Sequence, residues 1–187
     1  MPAKAKAGHM PEPRIPGTGG SDEVALPCGE TVDVSEFTMG TREFDCECGE
    51  SHAVVMDVHP PSRFLPESLV EVLRETTDAD DAFGEFGTPH LVGMVMEEYP
   101  ERVETIDRSE DGSVGFGLVW VASFDARRFH EIVVELVVEM MDHAVSHAED
   151  EAAVEEFERQ MLEFDVGEFV DEYREARDFD SAFDEPA

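Results

Sequence analysis

Lysine is nearly absent from this chain. The two lysines, Lys4 and Lys6, stand close to its start, and every other cation is an arginine. Against 13 lysines and arginines the sequence has 46 aspartates and glutamates, which gives a formal net charge of −33. Nucleic-acid binding depends on clustered basic side chains, so a nucleic-acid partner is not expected for a chain with so few cations.

Long apolar runs are missing as well, and cysteines are few. No apolar run approaches the roughly 18 residues of a membrane span, and the start of the chain has no apolar stretch typical of a secretory signal. The three cysteines are an odd number, which argues against a disulfide scaffold. These absences predict a cytoplasmic protein without a membrane segment.

The acidic residues are spread over every segment instead of forming one block. A net charge of this size destabilises a compact state in dilute salt, whereas at 1 M salt the screening length falls to about 3 Å. Carboxylates also keep a surface hydrated better than amines do. We therefore predict a halophilic protein from a cytoplasm of molar salt. An acidic decoy that mimics nucleic acid, or that captures a basic partner, is the alternative and requires the charge on one face.

The sequence divides into four predicted regions. Residues 1–23 are rich in Pro, Gly and Ala without periodicity and predict a disordered tail. Residues 24–61 form a cysteine-rich β module, 62–178 an α+β domain and 179–187 an acidic tail. The predicted fold class is α+β, with a small β-rich, zinc-knuckle-like cysteine module, a β-hairpin or small sheet, and a helical C-terminal half.

Alternation of apolar residues predicts the strands. Val54 and Val58 share one face of a strand in the cysteine module. A hairpin is predicted over residues 103–124. Gly115 and Gly117 leave one side of its second strand bare, so close packing or a docking surface is expected on that side.

Helical periodicity and capping residues predict five helices. Pro66 begins the first and Thr88 caps the second, for which a strand is the competing interpretation because Gly93 weakens a helix. Asp125 caps a third helix that extends to about residue 147, and its apolar middle predicts burial. Two more helices follow, and Asp165 caps the last of them.

The chemical signal in the sequence is a cluster of potential metal ligands with the spacing Cys28-x17-Cys46-x-Cys48-x3-His52. Cys28 and Cys48 each begin a Cys-Gly-Glu tripeptide, and glycine after a ligating cysteine suits a tight turn. Structural zinc sites are closed and tetrahedral, with four Cys or His ligands. We therefore predict a structural Zn²⁺ site formed by these four residues.

The spacing departs from that of a zinc ribbon, in which Cys-x2-Cys knuckles are usual. Ala25 stands where the first knuckle would be completed, and His59 or Asp45 could replace His52 as the fourth ligand. Ordinary reduced cysteines in a β-hairpin are one alternative. A redox role for the Cys-x-Cys pair is another, although an acidic setting would raise the pKa of these thiols and reactive pairs need a low one.

Two further patterns are weaker. Glu139, His143 and His147 lie on one face of the third helix and could bind a metal, but histidines in a last turn more often stabilise the helix dipole. The glycine-rich residues 112–117 run into a strand and lack the lysine of a P-loop, so phosphate binding there is not expected.

Five stretches of the sequence carry a family resemblance: Leu26 to Glu30, Arg42 to Glu50, Val58 to Phe64, Phe86 to His90 and Gln160 to Asp165. Together they resemble an uncharacterised protein family of halophilic archaea, a domain of unknown function with a Cys-x-Cys-Gly-Glu motif. The resemblance covers nearly the whole chain after its first residues. It implies an archaeal, halophilic source and adds no activity, so no catalytic residue is carried over.

The sequence therefore predicts a non-enzymatic, intracellular interaction or regulatory protein with a structural zinc site and an unknown protein partner, because no convergent catalytic motif is present. A metal-dependent enzyme is the alternative, with an open Cys/His site and Glu50 as its base. A nucleic-acid-associated zinc module is a weaker one.

Dilution of salt tests the halophile prediction. We expect the unfolding temperature to fall as KCl is lowered from about 1 M to about 50 mM, because the screening length grows beyond about 10 Å and carboxylates then repel one another. Circular dichroism at each salt concentration measures the change. A protein that keeps both its fold and its unfolding temperature in dilute salt contradicts the prediction.

Overall fold

The computed structural model describes residues 23–77, 83–108, 117–147 and 150–179. Across these residues the chain forms a two-stranded sheet, a four-stranded sheet and five α-helices, with most helices in the second half. The predicted α+β class, with a small β-rich cysteine segment and a helical C-terminal half, is confirmed.

Both sheets are antiparallel. The two-stranded sheet pairs β1 (Glu23–Ala25) with β2 (Thr31–Asp33). The four-stranded sheet consists of β3 (Glu43–Asp45), β4 (Ser51–Met56), β5 (Val103–Asp107) and β6 (Leu118–Ala122). Its spatial order is β3-β4-β6-β5. The strand that follows the Cys-x-Cys pair is therefore central and lies beside the second strand of the predicted hairpin.

The helices are α1 (Glu67–Thr76), α2 (Thr88–Glu98), α3 (Ala126–Ser146), α4 (Glu151–Glu163) and α5 (Val166–Ala176). Two predicted caps are confirmed. The Asp125 carboxylate accepts from the Arg128 N–H at 2.7 Å, and the Asp165 carboxylate accepts from the Glu168 N–H at 2.8 Å. Each bond satisfies a backbone donor that has no partner inside its own helix.

The segment containing Gly93 is the helix α2, so the competing strand interpretation is wrong. Thr88, predicted as the cap, is the first helical residue, and Gly87 occupies the cap position. The Thr88 hydroxyl is buried and donates to the His59 carbonyl. Thr88 therefore lies one position past the cap, and its hydroxyl donates to a tertiary partner.

One face of the four-stranded sheet packs on the helices. Val55 and Trp120 of the central strands share a core with Phe129 and Ile132 of α3, and each of these side chains is less than 5 % exposed. The buried middle of α3 is therefore confirmed. It makes this helix the main cover of the sheet.

The opposite face of the sheet packs on the N-terminal segment. Val119 and Val121 of β6 are fully buried in a core that includes Val32 of β2. Close packing on this face is as expected, but the valines of β6 make the contacts. The expected docking surface beside Gly117 is wrong, because the N-terminal segment covers this face of the sheet. Gly115 lies outside the described residues.

The strand β4 ends at Met56, earlier than the alternation predicts. The His59 N–H donates to the Met56 carbonyl at 3.0 Å in a turn. Val58 is therefore 44 % exposed instead of continuing the buried face, and the His59 side chain is buried.

The four-stranded sheet extends across the predicted boundary at residue 61, because β4 precedes that residue, β6 follows it, and the two strands pair. Whether residues 24–61 fold alone stays a prediction. The predicted tails lie outside the described residues, apart from Glu23 in β1 and Phe179 after α5. Among the residues that are described, no helix is both long and apolar enough to cross a membrane.

Two leucines provide a matched test of this core. Leu91 of α2 is 1 % exposed and Leu162 of α4 is 87 % exposed. We expect Leu91→Ala to lower the free energy of unfolding by about 2–5 kcal/mol through lost burial and a residual cavity. Leu162→Ala should change it by less than about 0.5 kcal/mol. Chemical denaturation in molar salt measures both, and similar losses would contradict the packing described.

Candidate metal centre

The Cys-x-Cys pair lies in the tight loop that joins β3 to β4. The Gly49 N–H donates to the Cys46 carbonyl at 3.0 Å, and the Cys46 N–H donates to the Glu50 carbonyl at 3.0 Å. Gly49 has a φ of 92°, a left-handed conformation that glycine adopts without a Cβ penalty. This is the pattern of a three-residue hairpin loop that ends in a left-handed glycine.

The loop that joins β1 to β2 repeats this geometry. The Gly29 N–H donates to the Leu26 carbonyl at 2.9 Å, the Leu26 N–H donates to the Glu30 carbonyl at 2.7 Å, and Gly29 has a φ of 90°. The doubled Cys-Gly-Glu sequence is therefore one loop structure used twice.

The repeated geometry shows which residue stands in place of a fourth cysteine. Cys28 and Cys48 occupy the same position of their loops, and the residue that corresponds to Cys46 is Leu26. Ala25, the position that would complete a Cys-x2-Cys knuckle, is not this counterpart, because both loops follow a Cys-x-Cys register. Leu26 is 3 % exposed and belongs to the core, so the first loop has an apolar anchor where the second has a thiol.

The four predicted ligands lie together. The Sγ atoms of Cys28 and Cys46 are 3.8 Å apart, and the Cys48 Sγ is 3.7 Å from the His52 Nε2. All four ligand atoms are within 4.8 Å of one another. A tetrahedral zinc ion with Zn–S bonds of about 2.3 Å has ligand atoms about 3.8 Å apart, so the spacing and the soft donor set fit Zn²⁺.

His52 is oriented by the central sheet. Its side chain lies on β4 and is fully buried, and its Nδ1 is 2.9 Å from the Ala122 carbonyl at the end of β6. A nitrogen bonded to a carbonyl carries the ring proton, which leaves the Nε2 lone pair directed at the thiols. Metal-binding histidines commonly have this second hydrogen bond.

The two substitute ligands are engaged elsewhere. The His59 Nδ1 accepts from the Met56 N–H at 3.0 Å, and its Nε2 donates to the Met39 carbonyl at 2.6 Å. The Asp45 carboxylate accepts from the Ser51 hydroxyl at 2.6 Å. Neither side chain joins the cluster around Cys46, so His52 is the histidine placed to complete it.

The protonation of the thiols bears on their chemistry. All three cysteines are free. Burial, together with hydrogen bonds between its thiol and those of Cys48 and Cys28, raises the pKa of Cys46 to about 11. A reactive or redox cysteine needs a lowered pKa, so the surroundings of Cys46 do not favour a redox role for this thiol.

The weaker patterns gain little support. The rings of His143 and His147 have centroids 4.8 Å apart, but in the part of the chain that is described Glu139 does not join them in a group of three potential ligands. Of the glycine-rich motif at 112–117, only Gly117 is described, and its N–H donates to the Asp57 carboxylate.

Fold and site together define a small α+β protein in which two hairpin loops and a buried histidine form a candidate metal centre. Residues 24–177 match DUF5815, a family of unknown function, and the chain belongs to that family. No curated protein and no solved structure matches the chain.

Two glycines test the loop geometry. A Cβ at either Gly49 or Gly93 meets no atom within 4 Å, but only Gly49 has a positive φ. We expect Gly49→Ala to lower the free energy of unfolding by about 1–2 kcal/mol, because the left-handed conformation is strained for alanine. Gly93→Ala, inside α2, should raise it by about 0.5–1 kcal/mol. Denaturant titration measures both, and effects of the same sign would contradict the assigned loop conformation.

Proposed function

We propose that this is a non-enzymatic interaction or regulatory protein whose N-terminal hairpin loops are held together by a structural Zn²⁺. The ligands are Cys28, Cys46, Cys48 and His52. The observation that supports this most is the approach of four soft ligand atoms within 4.8 Å of one another, with the imidazole oriented by a backbone carbonyl.

The position of the cluster suits a structural role. Cys28 lies in the loop of the two-stranded sheet, whereas Cys46 and Cys48 lie in the β3–β4 loop of the four-stranded sheet and His52 lies on β4. A metal ion on all four residues would cross-link two sheets that do not hydrogen-bond to each other through their strands. Structural zinc contributes its binding free energy to folding, and that matters most where strands are as short as β1 and β2.

The competing enzymatic function is less well supported. A catalytic zinc site keeps one position open for water or substrate, and here four protein ligands are close enough to fill a tetrahedron. Glu50, the candidate base, lines an open cleft with Ser123 and Arg128, but none of the four ligands lines that cleft.

The surroundings of the site favour a protein partner over a nucleic acid. Glu30, Glu47 and Glu50 are exposed on the two loops and would repel phosphates. Carboxylates are exposed on all five helices, which is consistent with a halophilic protein of a salt-rich cytoplasm. The proposed docking surface is the exposed side of the two zinc-held loops.

Metal analysis of the full-length protein, purified in molar KCl, tests the zinc site. We expect about one equivalent of zinc per chain, lost in Cys28→Ser and His52→Ala. His147→Ala, which changes an exposed histidine outside the cluster, should retain it. Removal of zinc by a chelator at constant KCl should lower the unfolding temperature. A preparation without metal, or one that loses zinc in His147→Ala, would contradict the assignment.

Affinity capture in molar KCl tests the interaction role. If the zinc-held loops form the docking surface, one protein should be captured in stoichiometric amount by the wild type and by His147→Ala. Cys28→Ser should fail to capture it while remaining folded by circular dichroism. Equal capture by all three forms would show that the loops are not the docking surface, and the absence of any stoichiometric partner would oppose the interaction role itself.

A further inference from the structure

An apolar pocket lies between the first turn of α1, the second half of α3, the helix α4 and the start of α5. Its volume is about 150 Å³. Side chains from all four helices line it, among them Leu69 of α1, Val134 and Val138 of α3, Phe157 of α4 and Phe169 of α5. Among the described residues no polar side chain lines this pocket, and it lies apart from the candidate zinc ligands.

The inner walls of the pocket are held by buried contacts. Val134 and Val137 of α3 are 3 % and 1 % exposed, and Leu65, which precedes α1, is 1 % exposed. The Tyr173 hydroxyl of α5 donates between two carbonyls, those of Ser62 at 2.6 Å and Leu65 at 2.8 Å. This bond fixes α5 to the segment before α1, so the walls formed by α1, α3 and α5 do not depend on α4 for their position.

The helix α4 covers the pocket without filling it. Its Phe157 and Met161 line the pocket, and the ring of Phe164, which follows α4, has its centroid 5.6 Å from that of Phe169. All residues of α4 are described, and none of them is buried. An apolar helix face that packs closely on its neighbours is normally buried. The incomplete burial of Phe157 and Met161 is therefore consistent with open space between α4 and α3.

Water is a poor occupant for this pocket. A buried water needs two to four polar partners, and the lining offers carbon and methionine sulfur. Protein interiors contain few voids larger than a water molecule, and an apolar void that stays empty is destabilising. An apolar molecule in the pocket would supply the dispersion contacts that its lining lacks.

The volume and the lining together specify the class of ligand. An apolar protein cavity of about 150 Å³, lined by leucine, isoleucine and phenylalanine, binds benzene. Met141 and Met161 add flexible, polarisable side chains that make favourable contacts with aromatic rings. A charged or hydrogen-bonding ligand would lose its hydration in this pocket without gaining a partner. The expected ligand is therefore small, uncharged and apolar.

We propose that this pocket is a binding site for one small apolar molecule, a hydrocarbon or aromatic ring about the size of benzene. The helices α1, α3 and α5 provide its fixed walls, and Phe157 and Met161 of α4 provide its cover. The site is separate from the metal centre and does not depend on the proposed zinc function.

The test is a titration of the full-length protein with benzene in molar KCl, with the unfolding temperature as the readout. Three forms are compared: the wild type, Val138→Phe and Val72→Phe. Val138→Phe adds a ring at a position that lines the pocket. Val72→Phe makes the same change on α1, where the side chain is 49 % exposed and does not line the pocket. Phenol, which adds a hydroxyl to the same ring, is the control ligand.

Benzene should raise the unfolding temperature of the wild type and of Val72→Phe by about 3–6 °C at ten times its dissociation constant. It should leave that of Val138→Phe unchanged, because the added ring fills the pocket. Phenol should bind the wild type at least about fivefold more weakly than benzene, since no polar atom receives its hydroxyl. An unresponsive wild type, an equal shift in Val138→Phe, or equal affinities for phenol and benzene would each overturn the proposal.

Two further measurements complete the test. If Val138→Phe does not fold, calorimetric titration of the wild type with benzene and with phenol decides, and the absence of binding heat for benzene overturns the proposal. Sedimentation in molar KCl examines a second copy of this chain as the occupant. A wild type that is a dimer and becomes a monomer when benzene is added would assign the pocket to that second copy, against the small-molecule site.

Discussion

The buried side chain of His52 is the constraint that connects the two sheets of this protein to one site. It lies on β4, one of two central strands, and its Nδ1 is held by the carbonyl that ends the other central strand. The opposite ring nitrogen faces thiols contributed by two separate hairpin loops. A ring oriented in this way cannot shift without breaking a buried hydrogen bond, so the four-stranded sheet fixes the position of the histidine in the cluster.

The protein has two different charge environments. Exposed carboxylates lie on all five helices, and guanidinium groups line a cavity on the helical side of the four-stranded sheet. Arginine suits both situations, since its guanidinium stays charged when partly dehydrated and offers several donors at once, whereas a buried lysine readily loses its proton. The near absence of lysine from the sequence is consistent with this use of cations.

Local signals predicted a large part of the fold. Asp125 and Asp165 cap helices as expected, because a cap is a contact over three residues and its signal is contained in the sequence. The apolar middle of α3 predicted its own burial for the same reason. The predictions that are wrong concern residues whose conformation depends on contacts with residues distant in the sequence. Thr88 is the first residue of α2 and not its cap, with its hydroxyl donating to the His59 carbonyl, and Val58 leaves the strand because the chain turns at His59. The arginine cavity was missed because Arg42, Arg63 and Arg174 are far apart in the sequence and share no motif.

For the candidate site, the sequence by itself determined the ligand types and the doubled loop, since Cys-Gly-Glu carries both a thiol and the glycine that a left-handed turn requires. It also favoured His52 over His59 only by spacing. The tertiary structure decided which histidine lies with the thiols, because the ring of His52 is held by Ala122 from β6 while that of His59 is engaged by Met39 and Met56. It also decided that Leu26, and not Ala25, is the counterpart of Cys46. Both outcomes depend on strand pairing between residues that are distant along the chain. A sequence pattern reports only on residues close to one another in the chain, so it could not predict them.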